Sequence, residues 1–243
     1  MNGKPKYFGE GLPYVDMSDL RGKLIVIEGT DGVGRSSQIA DLKQWLEVNG
    51  HGDATTGSPR SPILGQTNDD AKAGHTLNVS TFSLLYAADF ADRLEHEVIP
   101  ALKAGFIVLA DRYVYTAFAR AMVRGANRDW IRKVYGFALE PDAVFYMKIR
   151  MENLIPRVIN SENLHERYWG DGSREGLDYW ESGMDLRLGD DFYDSFVAYQ
   201  KKMLAEFDRM SEEFNFNVVT ASRSFAETNR KLKEGILAVL ERS

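Results

Sequence analysis

The sequence has no cysteine, no long apolar run and no block of basic residues among its 243 positions. The lack of cysteine excludes disulfides, and with no secretory start it leads us to expect a chain of the reducing cytoplasm. Apolar runs such as 106–110 are strand-sized, whereas a membrane span needs ~18 residues, so we expect no membrane association. A net charge of −6 without a basic patch argues against a nucleic acid polymer as a partner.

Length and composition suit one globular domain, because 44% of the residues are hydrophobic and 27% are charged. A chain of this size buries roughly 70–75% of its unfolded surface and needs no covalent cross-link. Residues 1–20 contain Gly, Pro, Lys and Asp without periodicity, so we interpret them as an N-terminal extension. Residues 21–243 then form a single domain.

Short apolar runs alternate with helical segments along that domain. The strand-like runs lie at 24–27, 106–110, 143–147 and 217–220, with a shorter candidate at 53–56. The helical segments lie at about 35–47, 80–103, 191–214 and 225–240. This alternation predicts an α/β fold of three layers, with a central parallel sheet flanked by helices.

The helix at about 80–103 repeats apolar residues at intervals of three or four, which predicts its buried face. That face consists of Leu84, Ala88, Ala91, Leu94, Val98 and Leu102. The opposite face contains Tyr86, Phe90, Arg93 and Glu97.

Residues 162–190 interrupt the alternation with a mixture of Gly, Asp, Glu, Arg, Trp and Tyr that has no clean period. Such a stretch inside a compact domain is typical of a functional lid or of a disordered loop. We therefore expect a mobile lid inserted at about 162–190.

The strongest pattern is a glycine-rich loop between a predicted strand and a predicted helix. Its residues are Gly29, Thr30, Asp31, Gly32, Val33, Gly34, Arg35, Ser36 and Ser37. They match the P-loop pattern G-x-x-x-x-G-K-[ST], which cradles phosphates with backbone N–H groups at a helix N-terminus. The pattern predicts ATP binding by this loop and Mg²⁺ ligation by the Ser36 hydroxyl. The alternative is a glycine-rich turn that binds no nucleotide.

One residue departs from the pattern, since Arg35 stands where lysine is usual. Arginine keeps the positive charge and forks two phosphate oxygens, but it is longer and planar. We therefore expect Arg35 to approach the γ-phosphate from a different angle than a lysine would.

Further segments resemble motifs of the thymidylate kinase family, in the family's order. They are 28–34 (E-G-T-D-G-V-G), 59–60 (P-R), 84–89 (L-L-Y-A-A-D), 100–105 (P-A-L-K-A-G), 111–113 (D-R-Y), 141–142 (P-D) and 165–168 (H-E-R-Y). The resemblance covers about residues 23–242. It implies a P-loop kinase fold, ATP as phosphoryl donor, Mg²⁺, dTMP as the favoured acceptor and a homodimer.

The resemblance also implies a role for each matching residue. The catalytic group would be Arg35, Asp31, Arg112 and Arg167, with Arg157 and Arg174 as further cations of the lid. The acceptor would be contacted by Arg60, Tyr86, Arg112 and Thr116, where Tyr86 stacks on the base. Phe90, four residues after Tyr86, shares its helix face and is expected to form an aromatic wall with it at the acceptor. Mg²⁺ would be held by Ser36 and Asp111. Ordinary roles are the alternative: a structural ion pair at Asp111 and Arg112, a core position for Tyr86, and solvated charges for Arg60 and the lid arginines.

Three departures concern the acceptor. Phe90 stands where the family has the arginine that reads the thymine edge, and Arg93 one turn later is a candidate replacement. The polar reader after D-R-Y is also lost, since Ala121 stands there and Arg120 appears beside it. Lys148 replaces the aspartate that usually ends the fourth strand. Losing a buried hydrogen-bond reader removes discrimination worth ~1–3 kcal/mol, so base specificity stays open.

Three functions follow from these observations. The first is an ATP-dependent kinase that phosphorylates dTMP to dTDP. The second is a P-loop kinase for a different nucleotide or phosphorylated acceptor, which Phe90 and Ala121 favour. The third is a nucleotide-binding regulatory protein that has lost catalysis, which Arg35 favours.

Overall fold

The computed structural model describes residues 6–57, 67, 77–160, 183–221 and 224–241. Its centre is a five-stranded sheet of order β2-β3-β1-β4-β5, in which every neighbouring pair is parallel. The strands are β1 (Lys23–Glu28), β2 (Asp53–Gly57), β3 (Ile107–Asp111), β4 (Ala143–Lys148) and β5 (Asn217–Thr220). The predicted parallel α/β sheet is confirmed, including its short second strand. Continuous apolar runs form the inner strands because helices cover both faces.

Helices connect the strands. They are α1 (Arg35–Val48), α2 (Val79–Arg93), α3 (Ile99–Lys103), α4 (Val114–Val123), α5 (Arg128–Val134), α6 (Met151–Ile159), α7 (Phe192–Glu213) and α8 (Phe225–Leu240). A π-helical turn at Leu94–Val98 joins α2 to α3, and a short 3₁₀ turn at Met184–Leu186 precedes α7. Within the described ranges, no helix combines the length and apolar character that a membrane crossing requires.

Two apolar clusters lie on opposite faces of the sheet, which gives the three layers predicted from the sequence. Alternate β1 residues divide between them, with Leu24 and Val26 on one face and Ile25 and Ile27 on the other. The first cluster contains residues of α2, α4, α5 and α7. The second contains residues of α1, α6 and α8. This division follows from the two-residue period of a strand.

The buried face of α2 differs from the prediction. Leu84 is 52% exposed and Ala88 is also exposed, whereas Tyr86, Phe90 and Arg93 are buried. The prediction was therefore wrong for the part of the face on α2, whereas Leu94, Val98 and Leu102 beyond α2 are buried as predicted. The physical reason is that α2 carries apolar residues around most of its circumference, so periodicity alone does not select one side. The inward side is decided by the aromatic rings that Phe90 meets, which are Tyr113 just before α4 and Tyr135 and Phe137 just after α5.

Residues 6–20 pack onto the domain by backbone and ring contacts. Phe8 N–H donates to the Ala138 carbonyl at 3.1 Å, and Glu140 N–H donates to the Lys6 carbonyl at 2.9 Å. The Phe8 ring meets the Tyr115 ring at a centroid distance of 5.8 Å. The described part of the predicted extension is therefore a strap that covers the segment after α5.

Candidate functional site

The predicted P-loop lies between the carboxyl end of β1 and the N-terminus of α1. Gly29 and Gly34 have φ angles of 149° and 96°, which L side chains rarely adopt. A Cβ on Gly29 would also lie 3.0 Å from the Met147 carbonyl oxygen of β4. The two glycines allow the chain to turn sharply and to present the first N–H groups of α1, which suits anion binding.

Arg35 points back into this loop. Its Nη1 donates to the carbonyl oxygens of Gly29 at 2.5 Å and Thr30 at 2.6 Å. Its Nε donates to Asp111 Oδ1 at 2.8 Å, and its Nη2 lies 3.5 Å from Asp31 Oδ1. The guanidinium therefore joins the P-loop to the end of β3 and places a buried positive charge under the loop.

Asp111 ends β3 and faces two residues of α1. Besides the Arg35 contact, its Oδ2 accepts a hydrogen bond from Ser36 Oγ at 3.2 Å. Burial alone would raise the pKa of Asp111, but the charges of Arg35 and Arg112 and the donated hydrogen bonds hold it below the ordinary value. The carboxylate therefore stays ionised at neutral pH beside a hydroxyl, which is an oxygen pair suited to Mg²⁺.

Glu28, to which the sequence patterns assign no role, is a buried charged residue beside the P-loop. It is fully buried, and its Oε1 accepts the N–H groups of Tyr113 at 2.9 Å and Thr116 at 3.2 Å. Its Oε2 accepts the Thr116 hydroxyl at 2.6 Å. Burial raises the pKa of Glu28, while these hydrogen bonds and the charges of Arg35 and Arg112 oppose that rise. The carboxylate thus ties the end of β1 to the first turn of α4.

We expect a Glu28→Ala variant to lose about 3 kcal/mol or more of folding free energy. The substitution leaves two N–H groups and one hydroxyl buried without an acceptor, and each such group costs ~1–3 kcal/mol. Urea denaturation measures the loss. Glu28→Gln is the matched control, because its amide oxygen still accepts the N–H groups, and it is expected to lose less than half as much. A Glu28→Ala loss below about 1 kcal/mol would contradict the anchoring role.

Arg112 follows β3 in a left-handed backbone conformation, with φ 71°. Such a conformation in a residue other than glycine costs ~1 kcal/mol or more and is typical of functional sites. The side chain is 7% exposed, and its Nη2 donates to Asp31 Oδ1 in the P-loop. The strained backbone thus turns a buried arginine towards the loop.

An aromatic hollow lies between α2, α4 and α5. It is lined by Phe82, Tyr86, Arg120, Ile131 and Tyr135 among others. A neighbouring hollow shares Tyr86, Arg120 and Tyr135 and adds Phe90, Tyr113 and Thr116. Burial raises the pKa of Tyr135, so its phenol stays neutral. These two adjoining spaces are called the aromatic hollow below, and the rings that line them belong to tyrosine and phenylalanine.

Comparisons with known proteins identify the family of the chain. The family description "Thymidylate kinase" matches residues 27–168, which is more than half of the chain. A protein of Saccharolobus solfataricus named "Probable thymidylate kinase 2" is 32% identical over 88% of this chain and 95% of its own length.

The chain belongs to the thymidylate kinase family.

Two other relatives share part of their length with it. A "Probable thymidylate kinase" of Pyrococcus horikoshii is 30% identical over 57% of this chain and 71% of its own length. A "Thymidylate kinase" of Brachyspira hyodysenteriae is 28% identical over 61% of this chain and 74% of its own length. As a thymidylate kinase family member, the chain is an ATP-dependent kinase.

The structure brings together most of the residues that the family motifs singled out. Arg35, Asp31, Asp111, Arg112 and Ser36 lie in one contact network at the carboxyl ends of β1 and β3. Open α/β sheets bind ligands at this edge. A further cation of α6 joins the network, since Arg157 Nη1 donates to the Val33 carbonyl at 3.2 Å.

The acceptor residues of the family motifs have different surroundings. Tyr86 and Phe90 both line the aromatic hollow. Thr116 lines it too, but its hydroxyl donates to Glu28, so it also supports α4. The predicted residues Arg60, Arg167 and Arg174 lie outside the described residues.

Arg93, the candidate replacement for the thymine reader, is directed away from the hollow. Its Nε donates to Asp89 Oδ2 at 3.1 Å, and its Nη1 donates to Thr56 Oγ1 at 3.0 Å. Thr56 in turn donates to Glu97 at 2.9 Å. Arg93 is therefore part of a buried network between α2 and β2.

The end of the predicted lid region is held by a partly buried ion pair. Asp185 accepts two hydrogen bonds from Arg124, at 2.8 and 2.9 Å, and the Arg124 guanidinium lies 5.2 Å from the Tyr199 ring centroid. Residues 183–190 thus pack between α4 and α7, while the rest of the predicted lid at 162–182 lies outside the described residues. Sequence reasoning missed this contact because 61 positions separate its partners.

Proposed function

We propose that the chain transfers the γ-phosphoryl group of ATP to dTMP and gives dTDP and ADP. The observation that carries this proposal is the contact between Arg112 and Asp31, because it sets the start of α4 beside the P-loop. Arg112 at this junction is proposed to lie between the loop for the donor's phosphates and the hollow for the acceptor's base. Phosphoryl transfer requires that the γ-phosphate of the donor and the phosphate of the acceptor meet at such a point.

Three charged residues of the network have a part in this reaction. The N–H groups of the P-loop and the N-terminus of α1 hold the donor phosphates. Arg35 supplies positive charge to the transferring group, and Arg112 holds the acceptor's phosphate against it. Asp31 orients Arg112, and Tyr86 stacks on the base. The reaction needs alignment and charge neutralisation more than a covalent nucleophile.

Mg²⁺ fits the oxygen atoms at the end of β3. Ser36 Oγ and Asp111 Oδ2 lie 3.2 Å apart and belong to the ligand types that Mg²⁺ prefers. In the described part of the chain, no cluster of three or more His, Cys, Asp or Glu could hold a metal alone. Mg²⁺ often binds through one carboxylate, water and substrate phosphates, so this pair suffices. When bound, the ion neutralises charge on the β- and γ-phosphates.

The test is a steady-state assay of ADP release with ATP and Mg²⁺ against dTMP, dUMP, dCMP, dGMP and AMP. We expect ADP release to depend on the acceptor and to be fastest with dTMP. Ser36→Ala is the control variant, and it should lower the rate with every acceptor because the Mg²⁺ ligand is lost. A faster reaction with another nucleotide would contradict dTMP as the acceptor.

A lack of turnover with any acceptor, despite ATP binding, would instead support the regulatory alternative. Membership of the thymidylate kinase family does not favour that alternative or a different acceptor.

The reducing cytoplasm is the proposed compartment. The absence of cysteine supports it. Fractionation of the source cells followed by immunodetection would test it.

A homodimer, which the family resemblance implies, is proposed through the outward side of α2. Leu84 is 52% exposed there and Ala88 is exposed one turn later, so the surface is apolar without being part of the domain core. Burying such a surface against a second copy removes it from water.

We expect the wild-type chain to elute and scatter light as a species of twice 27.5 kDa. Leu84→Glu should give monomers at micromolar concentration, because a buried carboxylate without a partner is strongly unfavourable. Val48→Glu is the matched control, since Val48 is 81% exposed at the end of α1, and it should leave the mass unchanged. A Leu84→Glu variant with the wild-type mass would exclude this face.

A further inference from the structure

We propose that Arg120 determines base specificity by donating hydrogen bonds to the carbonyl oxygen at position 4 of the acceptor's pyrimidine ring. This inference rests on the proposed phosphorylation of dTMP and names the residue that recognises the base. It concerns a side chain that stands outside the matching family motifs.

The need for such a residue follows from the surroundings of Phe90. Its ring packs against Tyr113, Tyr135 and Phe137 at centroid distances of 5.0, 5.8 and 5.9 Å. A phenyl ring in an aromatic cluster offers shape but no N–H donor. A base in the aromatic hollow must therefore be read by another side chain.

Arg93 does not meet this need. Its Nε and Nη1 donate to Asp89 and Thr56, and Arg93 is not among the residues that line the aromatic hollow. Among the described residues that line the hollow, Arg120 is the only one with a charged side chain. It is 7% exposed and borders both parts of the space.

The position of Arg120 along α4 favours a contact with the acceptor's base over a contact with its phosphate. Arg112, which contacts the P-loop, comes just before α4, whereas Arg120 lies six residues after the helix start at Val114. This separation corresponds to about 9 Å along the helix axis. The stacking candidate Tyr86 borders the same part of the hollow as Arg120. A nucleotide with its phosphate at Arg112 therefore extends its base towards Arg120.

The chemistry of a guanidinium gives this contact its selectivity. Arginine has N–H donors and no acceptor. Thymine presents a carbonyl oxygen at position 4, which accepts such a donor, whereas cytosine presents an amino group there, which faces it with another donor. In a buried site the cytosine amino group then faces donors and finds no acceptor on the guanidinium, and sites of this kind discriminate strongly. Arg120 therefore favours thymine over cytosine and leaves the 5-methyl group to apolar neighbours such as Ile131.

The experiment compares kcat/KM for dTMP, 5-methyl-dCMP and dUMP in the wild type and in Arg120→Met. The first two acceptors differ in the part of the ring that includes position 4, whereas dTMP and dUMP differ only in the methyl group. In Arg120→Met we expect the ratio of dTMP to 5-methyl-dCMP to fall by roughly 10- to 100-fold. The ratio of dTMP to dUMP should stay within about twofold, because both acceptors keep the carbonyl oxygen.

Two control variants support the comparison. Arg128→Met removes an exposed arginine of α5 and should leave all ratios unchanged. Arg120→Lys keeps the charge with a single donor group and should give an intermediate ratio. Ratios of kcat/KM do not depend on the fraction of folded enzyme, so partial unfolding does not imitate the effect.

Two results would overturn the assignment. An unchanged ratio of dTMP to 5-methyl-dCMP would show that Arg120 does not read position 4. An equal loss with all three acceptors would show that it contacts what they share or that it is structural. A wild type that does not prefer dTMP would instead contradict the proposed function itself, which separates the two failures.

Discussion

An Arg35→Met variant is expected to lose about 10³-fold or more in kcat at saturating ATP and dTMP. An arginine that stabilises a transferring phosphoryl group is worth ~10³–10⁵ in rate. Arg35 lies under the P-loop and is 7% exposed, so its charge is largely shielded from water. Steady-state ADP release and ATP binding by calorimetry measure the two effects separately.

Arg35→Lys is the informative control for this prediction. It restores the residue that the P-loop pattern contains, and we expect it to retain activity within about tenfold of the wild type. Arg230→Met removes an exposed arginine of α8 that pairs with Glu234 and should change nothing. If Arg35→Met stayed within tenfold of the wild type and folded normally, the contacts of Arg35 with the loop carbonyls would be structural only.

An Arg112→Met variant is expected to lose about 10²–10³-fold in kcat/KM for dTMP. Removing one preorganised donor from a developing charge costs this much in other enzymes. Arg112 is buried, joins the P-loop through Asp31 and has a strained backbone that aims it there. The loss should appear in the acceptor's KM and in kcat, whereas ATP affinity should change by no more than about threefold, since Arg112 is proposed to hold the acceptor.

The matched comparison is Arg112→Lys, which keeps the charge without the fork and should recover part of the loss. Direct binding of dTMP in the absence of ATP gives a second readout. If the variant bound ATP much more weakly but kept its dTMP affinity, Arg112 would contact the donor ATP and not the acceptor.

The P-loop and the strands were predictable because their signals are local. The loop needs glycines and a serine at fixed spacing, and residues 29–37 contain them in sequence. The inner strands are continuous apolar runs, which is what a sheet covered on both faces requires. The order of the strands did not follow from these runs, because hydrogen-bonded neighbours such as β1 and β4 are distant in sequence.

The acceptor side was less predictable because its contacts join distant segments. Glu28 ends an apolar strand as a buried charge, but its partners at Tyr113 and Thr116 lie 85 and 88 positions later. A charged residue at the end of a buried run is the signal that could have marked it. Arg93 is one turn from Phe90 in sequence, yet Asp89 and Thr56 hold it away from the hollow.

The sequence by itself determined the α/β class, the phosphate loop, the arginine within it and the family to which the chain is similar. Only the tertiary structure decided which side of α2 faces inward, that residues 6–20 cover the segment after α5, and that Arg120 borders the aromatic hollow. Local patterns depend on residues that are neighbours along the chain, so the sequence shows them directly. The direction of a side chain on a helix with apolar residues on most sides depends on which surfaces the other helices offer, and folding alone brings those surfaces together.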